Sequence, residues 1–162
     1  MIRRAEVVLF AGLLALDQAS KALVLAIFAE GGRIEVTSFF NLVLVWNPGV
    51  SFGMLGGLGD AKPGLLIGLT LAIAALLAVW LWRERRPLAR TALVLVLAGA
   101  LGNLIDRVRF GAVVDFLDLH WAGYHWPAFN VADSAIVIGA GLLLLDGLVP
   151  ARSPASQAGE RR

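Results

Sequence analysis

Two aspartates carry the strongest chemical signal in the chain. Asp133 lies in Phe129-Asn130-Val131-Ala132-Asp133-Ser134-Ala135-Ile136, which leads into an apolar stretch reaching Val149. Asp115 lies 18 positions earlier, in Val113-Val114-Asp115-Phe116-Leu117. An ionisable side chain at a membrane boundary costs several kcal/mol unless a partner or a wet cavity receives it. Eighteen residues are enough for the chain to turn back and bring the two acids together. Two carboxylates sharing one site cannot both ionise easily, so one holds a proton while the other stays charged. Such a pair can hydrolyse an amide, with one acid drawing a proton from water and the other protonating the carbonyl oxygen. On these residues alone, a structural polar network is the favoured alternative.

Other polar residues recur near apolar segments. Asp17 and Lys21 are four residues apart and share a helix face, where an ion pair joining helices is the expected role. Counting back from Phe28 puts Asp17 roughly 16 Å deep. Gly102-Asn103-Leu104-Ile105-Asp106-Arg107 sets Asn103, Asp106 and Arg107 on one face at a helix end. Asp106 beside Arg107 reads as an ion pair that keeps the acid charged and makes it a poor proton carrier. Asn47-Pro48-Gly49 demands a turn, because proline fixes φ and glycine tolerates positive φ. His120 and His125 are the only histidines, and no His-Glu-x-x-His occurs, which argues against a zinc site. With no cysteine there is no thiolate nucleophile, disulfide or Cys-based metal site. Neither a Gly-x-Ser-x-Gly nor a phosphate-binding loop is present, and Ser20 next to Lys21 points away from it on a helix. No cofactor, metal or nucleic acid is called for.

The segments that must hold these residues are membrane helices. Of 162 residues 59% are hydrophobic and 16% charged, against about 25% charged in a soluble domain. Residues 7–28, 63–82 and 129–149 can each cross about 30 Å of hydrocarbon. Residues 88–105 form a shorter fourth candidate that carries Arg90. The first run follows Arg3 and Arg4 like a secretory leader, but Asp17-Gln18-Ala19-Ser20-Lys21 interrupts it and hydrophobicity resumes to Phe28. It reads as a retained span. Arginines gather before span one, between spans two and three, and after span four, which places both termini in the cytoplasm and the longer loops outside. The pI of about 9.7 then meets anionic lipid.

Between the spans, Arg33–Thr37 and Leu42–Trp46 have strand-like patterns, followed by an apolar, flexible Ser51–Gly57. Residues 150–162 read as a disordered cytoplasmic tail behind a single membrane domain of residues 1–149. Gly64-x-x-x-Gly68 is a possible but more often incidental helix contact. Trp80, Trp82, Trp121 and Trp126 suit the headgroup zone, and His120 joins them as interfacial packing.

Taken in order on four spans, Asp17-Gln18-Ala19-Ser20-Lys21, Asn47-Pro48-Gly49-Val50-Ser51-Phe52, Gly102-Asn103-Leu104-Ile105-Asp106-Arg107, Val113-Val114-Asp115-Phe116 and Phe129-Asn130-Val131-Ala132-Asp133 resemble signal peptidase II, the lipoprotein signal peptidase of bacteria. The resemblance runs from about residue 7 to 149. It implies an all-α polytopic membrane fold: four transmembrane helices, a small extracytoplasmic β-sheet cradle and a short outer amphipathic helix. It also implies an aspartyl endopeptidase of the inner membrane; a monomer in contact with membrane lipids is expected. The implied substrates are prolipoproteins carrying diacylglycerol on a cysteine, cut just before that cysteine. Asp115 and Asp133 fall on the family's catalytic pair. Asn47, Gly49, Asn103, Asp106, Arg107 and Asn130 fall on positions that line or brace its site, and Asp17 and Lys21 on a supporting first-helix motif.

Two other classes compete. A transporter subunit would show repeated halves with matching broken helices, and no such symmetry occurs. A non-catalytic scaffold would tolerate amides at 115 and 133 apart from effects on stability.

Overall fold

The computed structural model describes residues 2–29, 31–49 and 62–148. Ser51–Gly57 and the tail from residue 150 lie outside these. Among the described residues, four helices are long and apolar enough to cross a membrane. They are α1 (Arg4–Ile27), α2 (Lys62–Arg83), α3 (Pro87–Phe110) and α4 (Val131–Leu148). Four antiparallel strands, β1 (Arg33–Thr37), β2 (Phe40–Asn47), β3 (Val113–Trp121) and β4 (Tyr124–His125), form one sheet in sequence order.

α1 and α3 have local reasons for their limits. Arg3 N–H donates to the Glu6 carboxylate at 2.9 Å, satisfying a free donor where α1 starts. Pro87 opens α3, where its missing N–H costs nothing. Gly111, at φ 74°, closes α3 in the left-handed conformation and donates to Arg107 O at 3.0 Å. The third span therefore extends five residues past the expected Ile105, and Asp106 and Arg107 stay helical.

The centre of the bundle is α3. Ala89, Ala92, Leu93, Val94, Leu97 and Ala98 are buried, and α1, α2 and α4 all pack against this helix. Small residues set the spacing. A Cβ on Gly99 would collide with the Ala132 carbonyl of α4, and one on Gly139 would lie 2.7 Å from Ala92 O. Backbones approach this closely because association within lipid depends on packing and polar contacts rather than on a hydrophobic drive. By contrast, a Cβ on Gly64 or Gly68 meets nothing among the described residues, so that glycine pair makes no helix contact there.

The sheet rests on the end of α1. Phe116 packs with Val24 and Phe28, and Leu42, Leu44, Leu117 and Val131 close around them. The strand-like patterns of residues 33–37 and 42–46 fall within β1 and β2. Asp115 is the third residue of β3, where Val45 pairs with Asp115 and Asn47 with Val113. Beyond the β3–β4 hairpin the chain returns, and Phe129 O accepts from Phe116 N at 3.0 Å and Leu117 N at 2.8 Å. No short outer helix lies among the described residues.

Candidate active site

Asn130 is the hinge of the site. It immediately precedes α4 and is fully buried. Its Oδ1 accepts from Asp133 N at 2.9 Å, and its own N–H donates to Asp133 Oδ2 at 3.2 Å. This reciprocal pair is a capping box, and it fixes Asp133 in the first turn of the helix. The Asn130 side-chain amide turns the other way and donates to Asp115 Oδ1 at 2.7 Å. One asparagine therefore holds both acids.

Each acid has a second donor. Asn47, at the end of β2, donates Nδ2 to Asp115 Oδ2 at 2.8 Å. Its Oδ1 accepts from Gly49 N at 2.8 Å, so the Asn-Pro-Gly turn orients the amide. Gly49 has φ 79°, and a Cβ there would lie 2.5 Å from Leu66 Cδ1 and 3.5 Å from Arg107 Nη2. Asn103 on α3 donates Nδ2 to Asp133 Oδ1 at 2.7 Å. Asp115 is buried, whereas Asp133 is partly accessible. Burial pushes the Asp115 carboxyl up to about 6; the charge of Asp133 adds to this, while the Asn47 and Asn130 amides oppose it.

Beneath these acids is a charged network. Lys21 Nζ lies 2.9 Å from Asp17 Oδ2 and 2.8 Å from Asp106 Oδ2, and it donates to Asn103 Oδ1 at 3.0 Å. All three charged groups are buried. Asp17 Oδ1 accepts Ala132 N, at the start of α4, at 2.9 Å, and Asp106 Oδ2 accepts Val114 N, on β3, at 3.1 Å. The expected Asp106–Arg107 pair is replaced by Asp106–Lys21. Neighbouring residues diverge by about 100° around a helix, so the acid faces α1 while the arginine does not. Arg107 Nη1 reaches Asn103 O at 3.4 Å, and its charge acts on Asp133, Asp115 and Asp106. Asp17, four residues before Lys21 on α1, reaches Asp106 through it.

Gln18 and Gly102 are site-bracing residues that sequence reasoning missed. Gln18 Nε2 donates to Asp17, Gly102 O and Asp106 at 3.1–3.3 Å. A Cβ on Gly102 would sit 2.5 Å from Asp17 Oδ2. Both residues occur inside the polar motifs, and that placement was the available signal.

An apolar groove of about 740 Å³ leads away from Asp133 and Ser134. Its walls include Leu119, Trp126, Phe129, Val137 and Ile138. On the sheet, His125 Nδ1 meets Asp118 Oδ1 at 2.8 Å and its ring stacks on His120. This pair is apart from the two acids, and among the described residues no cluster of three His, Asp or Glu is placed to hold a metal ion.

The site sets two carboxyl groups, both held by Asn130, beside an apolar groove. The sequence profile described as signal peptidase (SPase) II matches residues 9–149. The lipoprotein signal peptidase of Syntrophotalea carbinolica is 50% identical over 135 residues, covering 81% of this chain and 83% of that protein. The lipoprotein signal peptidase of Ralstonia nicotianae is 51% identical, covering 82% and 78%. A solved structure described as a bacterial membrane enzyme, determined by the in meso method at 2.3 Å, superposes with a TM-score of 0.77 at 32% identity over 89% of this chain and 87% of the other. A second of the same description, at 1.9 Å, gives 0.79 at 30% identity over 91% and 94%.

Proposed function

This chain belongs to the signal peptidase II family and is a multi-pass membrane peptidase of the aspartic type, and we propose that it removes the signal peptide from diacylglyceryl-modified prolipoproteins. The bond cut is the one just before the lipidated cysteine. One observation carries the assignment of the pair: Asn130 holds Asp133 through its backbone N–H and Oδ1, and Asp115 through Nδ2.

In this reading Asp133 is the base. It takes a proton from water as the water oxygen attacks the scissile carbonyl carbon. Asp115, whose raised pKa suits a proton holder, donates to the carbonyl oxygen. The tetrahedral species then collapses. Asp133 passes its proton to the departing cysteine nitrogen, and Asp115 recovers one from the hydroxyl that reforms the carbonyl. Asn47, Asn103 and Asn130 position the acids, and Gly49 and Arg107 line the approach. The Asp17–Lys21–Asp106 network braces α1, α3, α4 and β3 beneath them.

The lipid of the substrate is attached to the residue next to the cut, so it must leave the acids along an apolar path. The groove past Trp126, Val137 and Ile138 offers one. Val137 and Ile138 are exposed, as lipid-facing residues would be. The arginine distribution favours an inner-membrane protein with both termini cytoplasmic and the site toward the outer face. We take it to act as a monomer, as one membrane domain through residue 149.

The test is cleavage of a diacylglyceryl-modified prolipoprotein by the purified protein, followed on a gel. Asp115→Asn and Asp133→Asn, each shown to be folded, should abolish cleavage, while Asp106→Asn retains part of it. Failure of the intact, folded protein to cut would sink the peptidase reading.

A further inference from the structure

A second cleft lies at the other end of the bundle, away from the sheet and the two acids. It has a volume of about 360 Å³ and lies between α1 and α2 over the face of α3. Its walls include Val7 and Phe10 from α1, Leu81 and Trp82 from α2, and Val94 and Leu97 from α3. Val7 and Trp82 are exposed, so the cleft opens sideways to the bilayer.

Its one acidic wall residue is neutralised. Glu6 is gripped by Arg90 through Nε at 2.6 Å and Nη2 at 2.7 Å. The other acids at this end are also engaged. Asp146 pairs with Arg86 at 2.9 Å, and Glu84 accepts the backbone N–H groups of Arg85 and Arg86 at 2.7 and 2.8 Å. Those bonds hold the Glu84 carboxyl below its usual range, with the Arg86 N–H the strongest influence. Against these three acids, among the described residues, stand Arg3, Arg4, Arg83, Arg85, Arg86 and Arg90. The side chains of Arg4, Arg83 and Arg85 are in exposed residues and have no ion-pair partner among the described residues.

We propose that this cleft is a binding site for an anionic phospholipid, with an acyl chain lying between α1 and α2 and the phosphate held by the arginine-bearing ends of those helices. The apolar walls suit a hydrocarbon chain and nothing polar. Arg83 follows the wall residue Trp82 in the chain and Arg4 lies between the wall residues Ile2 and Glu6, which brings positive charge beside the cleft, and Trp82 suits the headgroup zone. A second transmembrane helix could fill an apolar cleft, whereas an anionic lipid fills it and also meets the charge of Arg4, Arg83 and Arg85. The site is separate from the proposed peptidase chemistry and does not depend on it.

The experiment uses the full chain purified in detergent and native mass spectrometry. The probes are dioleoyl phosphatidylglycerol and dioleoyl phosphatidylcholine, which share acyl chains and differ in net charge. The wild-type protein should retain the anionic lipid preferentially. In the double variant Arg83→Gln/Arg85→Gln that preference should fall, by about fivefold for each arginine removed. Val7→Trp, which fills the cleft, should reduce retention of both lipids without lowering the unfolding midpoint. Equal retention of the two lipids by the wild type would overturn the proposal. So would unchanged retention in Val7→Trp, or a second copy of the chain occupying this face in place of lipid.

Discussion

Lys21 Nζ donates to Asn103 Oδ1 at 3.0 Å, and that bond decides which end of the Asn103 amide faces Asp133. An ammonium can only donate, so it claims the amide oxygen. The NH2 must then point the other way, where it donates to Asp133 Oδ1 at 2.7 Å. A buried lysine on α1 thereby orients a donor toward an acid on α4 without touching that acid.

Asn103→Leu should remove this donor and lower kcat by about 10- to 100-fold, since a hydrogen bond to a charged group contributes roughly 1.5–3 kcal/mol. KM should change little, because Asn103 holds the acid rather than the lipid. Steady-state kinetics on a lipidated substrate would separate the two. An unchanged kcat would remove Asn103 from the set of positioning residues.

Lys21→Met leaves Asp17 and Asp106 buried without their shared counter-charge. Breaking a buried ion network in this way costs about 3–5 kcal/mol. The unfolding midpoint in detergent should fall sharply, and adding Asp106→Asn should recover part of the loss because one stranded charge is removed. If the double variant were less stable than Lys21→Met, the charge argument would be wrong.

Gly102→Ala should destabilise by about 1–3 kcal/mol, because the new methyl would press on the Asp17 carboxylate. Gly64→Ala and Gly68→Ala meet open space, and an alanine in a helix should raise stability slightly. Midpoints for the three variants, measured side by side, should therefore move in opposite directions.

The raised Asp115 pKa has a consequence for stability. The folded state holds this proton more tightly than the unfolded chain between the ordinary value of 3.8 and about 6. The resulting stabilisation is complete below 3.8 and is lost as pH rises through about 6. Asp115→Asn lacks this titration. Its unfolding midpoint relative to wild type should rise between about pH 4 and pH 7 and then level off. A constant difference across that range would mean that Asp115 does not titrate there.

Much of the architecture was legible before the fold was known. Four apolar runs dictate four spans because lipid offers no hydrogen bonds to an unpaired backbone, and only a helix of about 20 residues satisfies its own. The alternation in residues 33–37 and the β-branched run at 42–46 marked two strands. Asp115 was harder to place. Val113-Val114-Asp115-Phe116-Leu117 has no period-2 alternation, and its strand exists because β2 and the returning Phe129 supply partners on both sides.

The ion pairs show the same division. Asp106 next to Arg107 looked like a local pair, yet chain adjacency separates two side chains on a helix, and the partner came from α1. The sequence by itself determined which residues could titrate, where the chain must turn at Asn47-Pro48-Gly49, and that polar groups at membrane depth required partners. Only the tertiary structure decided who those partners are. Hydrogen bonds act over about 3 Å, and contacts between residues 82 to 115 positions apart, such as Lys21 with Asn103 or Asp17 with Ala132, exist only once α3 and α4 pack through Gly99, Gly102 and Gly139.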